Sequence, residues 1–277
     1  SIIIDFIIYA IGIIYCSGKY ITRDINKSIH YFTLSANQNH SNSQYHLGAI
    51  YYYGDYITRD IDKAIYYLTL AANQNNPDAQ NILGSIYYSE IFTKQDINKA
   101  IYYLTLAANQ NNPEAQYKLG AIYGPGRYIT QDINKSIYYL TLAANQNHPI
   151  SQFSLGLIYY TGDYNTRDIN KSIHYLTLAA NQNNPDAQNI LGIIYYTSKY
   201  ITQDIHKSIH YLTLSANQNH PDSQYQLGVI YYTSKYITQD VNKSIHYLTL
   251  AANQNHPGAL NQLGAIYYTG KYITRDI

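Results

Sequence analysis

Apolar residues recur along this chain in short bursts of helical period, each bounded by polar turn residues. Two such bursts lie between Asn76 and Gln110. Ala79, Leu83, Ile86 and Tyr87 fall three to four residues apart and predict a first amphipathic helix. Asn76 suits its N-cap and Pro77 its first helical position. Ser89 to Gln95 reads as a connecting loop, and Asp96 predicts the cap of a second helix. The stripe of that second helix is Ile97, Ala100, Tyr103, Leu104, Ala107 and Ala108. Each helix runs to about 13 residues, or about 20 Å. An Asn/His-rich turn then leads to the next proline.

The whole block returns every 36 residues, with no insertion or deletion. Leu-Gly recurs at Leu47-Gly48, Leu83-Gly84, Leu119-Gly120, Leu155-Gly156, Leu191-Gly192, Leu227-Gly228 and Leu263-Gly264, with Ile11-Gly12 at the same site of the first block. Pro77, Pro113, Pro149, Pro185, Pro221 and Pro257 keep the same step. The chain is therefore expected to be one array over residues 1–277. Its units are about 1–36 (a degenerate first), 37–75, 76–111, 112–147, 148–183, 184–219, 220–255 and 256–277 (an incomplete last). No unit can bury its stripe alone, so the units must stack into an all-α solenoid without a central core. A glycine inside a helix costs about 1 kcal/mol against alanine, so the recurrence of Gly84 implies close approach of the paired helix. Ala71, Ala72, Ala107 and Ala108 fit where helices cross closely. The periodic loop aromatics Tyr20, Tyr56, Phe92, Tyr128, Tyr164, Tyr200, Tyr236 and Tyr272 are expected to pack between neighbouring units.

The pattern A-Q-x-x-L-G-x-I-Y-Y, a loop ending in Asp, then K-A/S-I-x-Y-x-x-x-A-A-N-Q, resembles the Sel1-like repeat, a relative of the tetratricopeptide repeat. The resemblance covers essentially the whole chain, and Asp78 to Gln110 is a fair specimen. It implies a right-handed superhelix that acts as an adaptor in protein complexes. Two departures stand out. The usual helix B tryptophan is tyrosine at Tyr67, Tyr103 and Tyr139, and leucine replaces a common lysine at Leu70, Leu106 and Leu142. The cysteine pairs of some bacterial relatives linked to cell-wall or β-lactam chemistry are absent.

Composition narrows the function classes. Charged residues make up 13% and the net charge is +1, so no basic excess draws a phosphate backbone and nucleic acid is not an expected partner. Cys16 has no internal partner, so the fold does not depend on an oxidising compartment, and a cytoplasmic setting is expected. Ile2 to Tyr15 is strongly apolar but shorter than a membrane span and carries Asp5, which reads as a first helix of the array.

Chemistry needs a group that differs from its copies, and most reactive side chains here are copied. Asp24, Asp60, Asp96, Asp132, Asp168, Asp204, Asp240 and Asp276 read as helix caps. Lys27, Lys63, Lys99, Lys135, Lys171, Lys207 and Lys243, three residues on, read as their solvated partners. His30, His174, His210 and His246 exchange with Tyr66, Tyr102 and Tyr138, which argues against metal ligation. His206 and His210 form a two-ligand face with no third ligand. His40, His148, His220 and His256 trade with Asn76, Asn112 and Asn184, which suits turns and caps. No catalytic residue, metal or cofactor is therefore expected.

The copies disagree most on helix A. Asn42, Asp78, Glu114, Ile150, Asp186, Asp222 and Gly258 share one position, and Ala49, Ser85, Ala121, Leu157, Ile193, Val229 and Ala265 another. A third holds Tyr45, Asn81, Tyr117, Phe153, Asn189, Tyr225 and Asn261. Their spacing puts all three on one helical face, and Tyr52, Tyr88, Tyr160, Tyr196, Tyr232 and Tyr268 extend it. By resemblance to related superhelical repeats, this face lines a concave groove. The expected partner-binding set is Tyr45, Tyr52, Asn81, Tyr88, Tyr117, Phe153, Tyr160, Asn189, Tyr196, Tyr225, Tyr232 and Asn261, contacting an extended or helical peptide or a protein.

The first functional expectation is a non-catalytic scaffold or adaptor. A second is an accessory segment of a larger signalling enzyme, such as a protist kinase. A chain without an initiating Met that stops at Ile277, just after a helix cap, is expected to be a piece of something longer. A third is an array that self-associates end to end through uncapped units.

Overall fold

The computed structural model describes residues 2–91, 95–124, 129–162, 166–197, 201–233 and 235–269. All fifteen elements among them are α-helices. The chain divides into two compact bodies, Ser1–His148 and Pro149–Ile277.

In the first body, the A helices are α1 (Ile2–Ser17), α3 (Ser41–Tyr53), α5 (Pro77–Tyr88) and α7 (Pro113–Tyr123). The B helices are α2 (Ile25–Ala36), α4 (Ile61–Asn73), α6 (Ile97–Asn109) and α8 (Ile133–Asn145). The second body repeats the scheme. Its A helices are α9 (Pro149–Thr161), α11 (Pro185–Tyr196), α13 (Pro221–Thr233) and α15 (Pro257–Thr269). Its B helices are α10 (Ile169–Asn181), α12 (Ile205–Ala216) and α14 (Val241–Asn253). Within a body, each A helix pairs with the B helix after it, and that B helix packs on the next A helix. Consecutive A helices also touch, α3 with α5 and α5 with α7 in the first body, α13 with α15 in the second.

Local chemistry sets the helix ends. Asp24, Asp60, Asp96, Asp132, Asp168, Asp204 and Asp240 each accept the backbone N–H three residues on at 3.0 Å. Asp276 lies outside the described residues. The donor is always the lysine of the repeat, which also pairs with the cap at 3.2–3.7 Å. These pairs are exposed and contribute little to stability. Each ammonium also stands over a tyrosine of the preceding A helix, as Lys63 does over Tyr51 at 5.1 Å. Tyr51 in turn stacks on Tyr67 at 6.1 Å, which puts Tyr67 in a periodic aromatic pair.

The turn from helix B to the next helix A needs a left-handed residue. Asn39, Asn75, Asn111, Asn147, Asn183, Asn219 and Asn255 supply it, with φ between 59° and 64°. The following residue caps helix A, through Oδ1 at Asn76, Asn112 and Asn184. Histidine Nδ1 does the same at His40, His220 and His256.

The recurring glycine sits where the two helices of a pair cross. A Cβ on Gly84 would stand 2.5 Å from Cγ of Leu104, and the sibling glycines 48, 120, 156, 192 and 228 face equivalent leucines at 2.5–2.6 Å. Ala64, Leu68, Ala71, Leu83 and Ile86 are wholly buried and typify the core. One expectation needs correction. The loop tyrosines Tyr20, Tyr56 and Tyr236 do not fill the space between repeats: they are 74%, 60% and 64% exposed. A loop tip with a stacked cation explains Tyr56, whose ring carries the guanidinium of Arg23 from the preceding repeat. Phe92, Tyr128, Tyr164, Tyr200 and Tyr272 lie outside the described residues.

Candidate functional site

Two A helices of the first body build the clearest site. On α5, Asn81, Ser85 and Tyr88 are three and four residues apart and share one face. Tyr117, Lys118, Ala121 and Ile122 of α7 stand opposite, and Leu104 of α6 completes the wall. Together, Ser85, Tyr88 and these residues enclose a cavity of about 340 Å³.

Lys118 is the unusual member. Its sibling positions hold His46, Ile82, Ser154, Ile190, Gln226 and Gln262, so this cation occurs once. Its ammonium donates to Ser85 Oγ at 2.7 Å and to Asn81 Oδ1 at 3.1 Å, tying α7 to α5. Glu114 Oε1 lies 3.5 Å away, one turn earlier on the same helix. The other carboxylate oxygen of Glu114 meets Nε2 of His148 at 3.2 Å, and the His148 ring stacks on Tyr117 at 5.0 Å. Burial pushes the Lys118 pKa down, and Glu114 opposes that shift. The hydrogen bond from His148 holds the Glu114 carboxyl below its usual range, with help from Lys118.

A serine beside a half-buried lysine invites comparison with a nucleophile and its base. The geometry points the other way. Ser85 donates its own proton to the Asn81 carbonyl at 3.0 Å and receives one from Lys118. An ammonium paired with a carboxylate has no lone pair with which to take the hydroxyl proton. What the cavity offers is two tyrosines, an aliphatic wall and a fixed polar edge, a surface suited to a side chain rather than to bond cleavage.

The remaining residues of the expected partner-binding set spread along both bodies. Tyr45 and Tyr52 lean on the core around Ile82 and Ile86 of the next repeat. Phe153 and Tyr160 do so around Ala187 and Leu191, Tyr196 around Leu227 and Ile230, and Tyr225 and Tyr232 around Ala259 and Ile266. They are half-buried inter-repeat packing with one edge exposed, whereas Asn261 is exposed. Asn189 requires correction as a contact residue. It is 8% exposed, and its Oδ1 accepts the Ser223 hydroxyl at 2.9 Å. The cavity thus unites Tyr88 and Tyr117, with Asn81 bonded to its edge, and adds Lys118, which sequence reasoning missed. The signal was present, because Lys118 breaks the pattern of its own copies.

Elsewhere, a polar hollow of about 690 Å³ surrounds the start of α14, where Asp240 is already committed as a cap. Among the described residues no group of three or more His, Cys, Asp or Glu is placed to hold a metal. No described helix is long and apolar enough to cross a membrane.

The Sel1 repeat pattern matches residues 8–40, 41–76, 77–112, 113–148, 149–184, 185–220, 221–256 and 257–277. The chain belongs to the Sel1 repeat family. Among solved structures it is similar to a protective antigen of uropathogenic Escherichia coli strains with the same repeat fold, at 25% identity and a TM-score of 0.89. That match covers 96% of this chain and 57% of the antigen, so the chain spans little more than half the length of that relative. A Sel1 repeat protein from Oxalobacter formigenes is 27% identical with a TM-score of 0.73, over 95% of this chain and 76% of its own. No curated protein matches the sequence. The fold class is therefore the all-α Sel1 solenoid. Sel1 repeat proteins are in general protein-interaction scaffolds without catalytic activity.

Proposed function

We propose that this Sel1 repeat chain is a protein-binding scaffold that docks a peptide or protein segment on its A-helix face, with the Tyr88–Tyr117 cavity as the anchor point. The observation that carries the reading is the preformed cavity between α5 and α7, with Lys118 held at its edge by Ser85 and Asn81. Tyrosine gives a large, rigid contact area at low entropic cost, and such residues concentrate binding energy at interfaces. An apolar side chain of the partner fills the cavity against the Tyr88 and Tyr117 rings, while Lys118, tied to Ser85, Asn81 and Glu114, fixes the separation of the two helices. Tyr52, Tyr45 and the half-buried aromatics of the second body provide further exposed edges along the same kind of face.

The test is affinity for a co-purifying partner, measured with the intact chain and with a Tyr88→Ala, Tyr117→Ala double variant. A true anchor loses about tenfold or more in affinity. Equal affinity for both proteins would remove the cavity from the working surface.

A further inference from the structure

A second cavity, of about 200 Å³, lies in the first body where the end of α3 meets α1 and α2. Its lining combines the apolar Ile25, Ala49 and Ile50 with the rings of Tyr53 and Tyr56 and the carboxylate of Asp55. Two of these residues break the repeat. Tyr53 stands where Ser17, Ser89, Thr161, Thr197 and Thr233 stand in the siblings. Asp55 stands where Lys19, Lys235 and Lys271 carry the opposite charge, and only Asp163 shares its sign. An aromatic ring and an acid thus arrive together at one repeat, beside an apolar pocket.

The chain's own cations nearest this place are engaged: Arg23 donates to the Tyr56 hydroxyl and the Ser17 carbonyl, and Arg59 donates to the Tyr53 carbonyl at 3.1 Å. Asp55 has no hydrogen-bond or ion-pair partner among the described residues. The Tyr53 phenol is pushed up first by burial and then by the carboxylates of Glu114, Asp55 and Asp78, three acids drawn from three successive repeats. Tyr53 is still 52% exposed, and its ring meets Tyr52 edge-on at 5.0 Å, which fixes its orientation. His46, which also lines the cavity, has its pKa lowered by burial and so adds no opposing charge near neutrality. The outer ring shows how the chain treats such a place: the Arg23 guanidinium sits 4.7 Å from the centre of Tyr56. Among the described residues, neither the Tyr53 ring nor the Asp55 carboxylate holds such a cation.

We propose that this cavity receives an arginine side chain of a protein partner. Its methylene stem lies against Ile25, Ala49 and Ile50, and its guanidinium lies between the Tyr53 ring and the Asp55 carboxylate. Arginine suits the site because a planar, weakly hydrated cation stacks on a phenol face and pairs with a carboxylate through a fork of N–H groups. This inference is separate from the Tyr88–Tyr117 anchor, since the two cavities share no lining residue.

The experiment titrates Nα-acetylarginine amide into the intact chain, followed by calorimetry, with the uncharged citrulline analogue as the matched control. Arginine is expected to bind saturably and citrulline about tenfold more weakly, the loss a removed charge contact gives. Asp55→Lys and Tyr53→Thr install residues that sibling repeats already carry, so both variants are expected to keep the helical signal and melting behaviour of the parent. Asp55→Lys should weaken arginine about tenfold or more and Tyr53→Thr about threefold. Cys16, the single cysteine of the chain, lines the same cavity, so bound arginine should slow its alkylation by iodoacetamide. Equal binding of citrulline, unchanged affinity in Asp55→Lys, an unprotected Cys16 or the absence of saturation would each overturn the assignment.

Discussion

Gln110, just past the end of α6, donates its side-chain amide to Oε1 of the buried Gln80 on α5 at 2.8 Å. Gln80 in turn donates to the carbonyl of Ala72 at 3.2 Å, at the end of the preceding helix B. One side chain therefore joins two repeats and both helices of its own. The same bridge recurs at Gln44, Gln116, Gln188 and Gln224, each at most 1% exposed. A buried amide is costly unless it is satisfied, so the motif works only as a complete set. Gln116→Leu removes the side-chain donor of the Ala108 carbonyl, which keeps only the Asn111 N–H at 3.0 Å, together with the acceptor of the Gln146 amide, and should destabilise the chain by about 1 kcal/mol. Chemical denaturation would show it, and an unchanged midpoint would mean that water replaces the bridge at no cost.

The crossing glycines give a prediction opposite in sign to helix propensity. Alanine is the better helix former by about 1 kcal/mol, yet a methyl group at Gly84 meets Leu104 Cγ at 2.5 Å. Overpacking wins because Leu104 is itself fully enclosed. Gly84→Ala should lower stability by roughly 1–3 kcal/mol. Gly264 supplies the control, since no described atom lies within 4 Å of a Cβ built there. Gly264→Ala should be neutral or slightly stabilising in the same thermal melt.

These two examples mark what the sequence makes legible. The period, the Asp and Asn caps and the crossing glycine are local signals repeated many times, so each copy checks the others. Lys118 and Ser85 meet across 33 positions and two helices, and no local spacing announces that contact. Asn189 shows the converse failure. It varies among the copies as a contact residue would, yet it is buried and its Oδ1 is taken by the Ser223 hydroxyl. Variation among repeats thus marks positions that are free of the shared framework, without separating exposed residues from those matched to a local partner. The loop tyrosines fail for a related reason, since periodicity is kept equally by a packed ring and by an exposed ring that holds a cation.

The left-handed asparagines predict a graded response to substitution. Asn111 has φ of +62°, a region open to asparagine and glycine but strained for side chains branched at Cβ. Asn111→Gly should stay within about 0.5 kcal/mol of the parent, whereas Asn111→Val should cost about 1–2 kcal/mol. A calorimetric melt of the two variants would test this, and equal losses would show that the asparagine side chain matters more than its backbone angle.

The last prediction concerns acid. The ring of His46 stacks on Phe32 at 5.0 Å with an interplanar angle of 8°, and its Nε2 lies 3.3 Å from the Tyr9 hydroxyl. Burial lowers its pKa from 6.5. The Asp78 carboxylate opposes that shift, and His40 reinforces it. His40 is lowered by burial too, with Asp5 acting against it. In both cases the native state holds fewer protons than the unfolded chain just below pH 6.5. The stability linked to these groups is therefore fully present above pH 6.5 and is lost as pH falls below it. His46→Gln places at this site the residue found at Gln226 and Gln262, which keeps a polar side chain but cannot titrate. The melting midpoint of the parent should fall between pH 7.5 and 5.5 by roughly 2 °C or more beyond the fall seen in His46→Gln. Parallel curves would mean that His46 takes up its proton in place, with the Asp78 carboxylate offsetting the cost of burial.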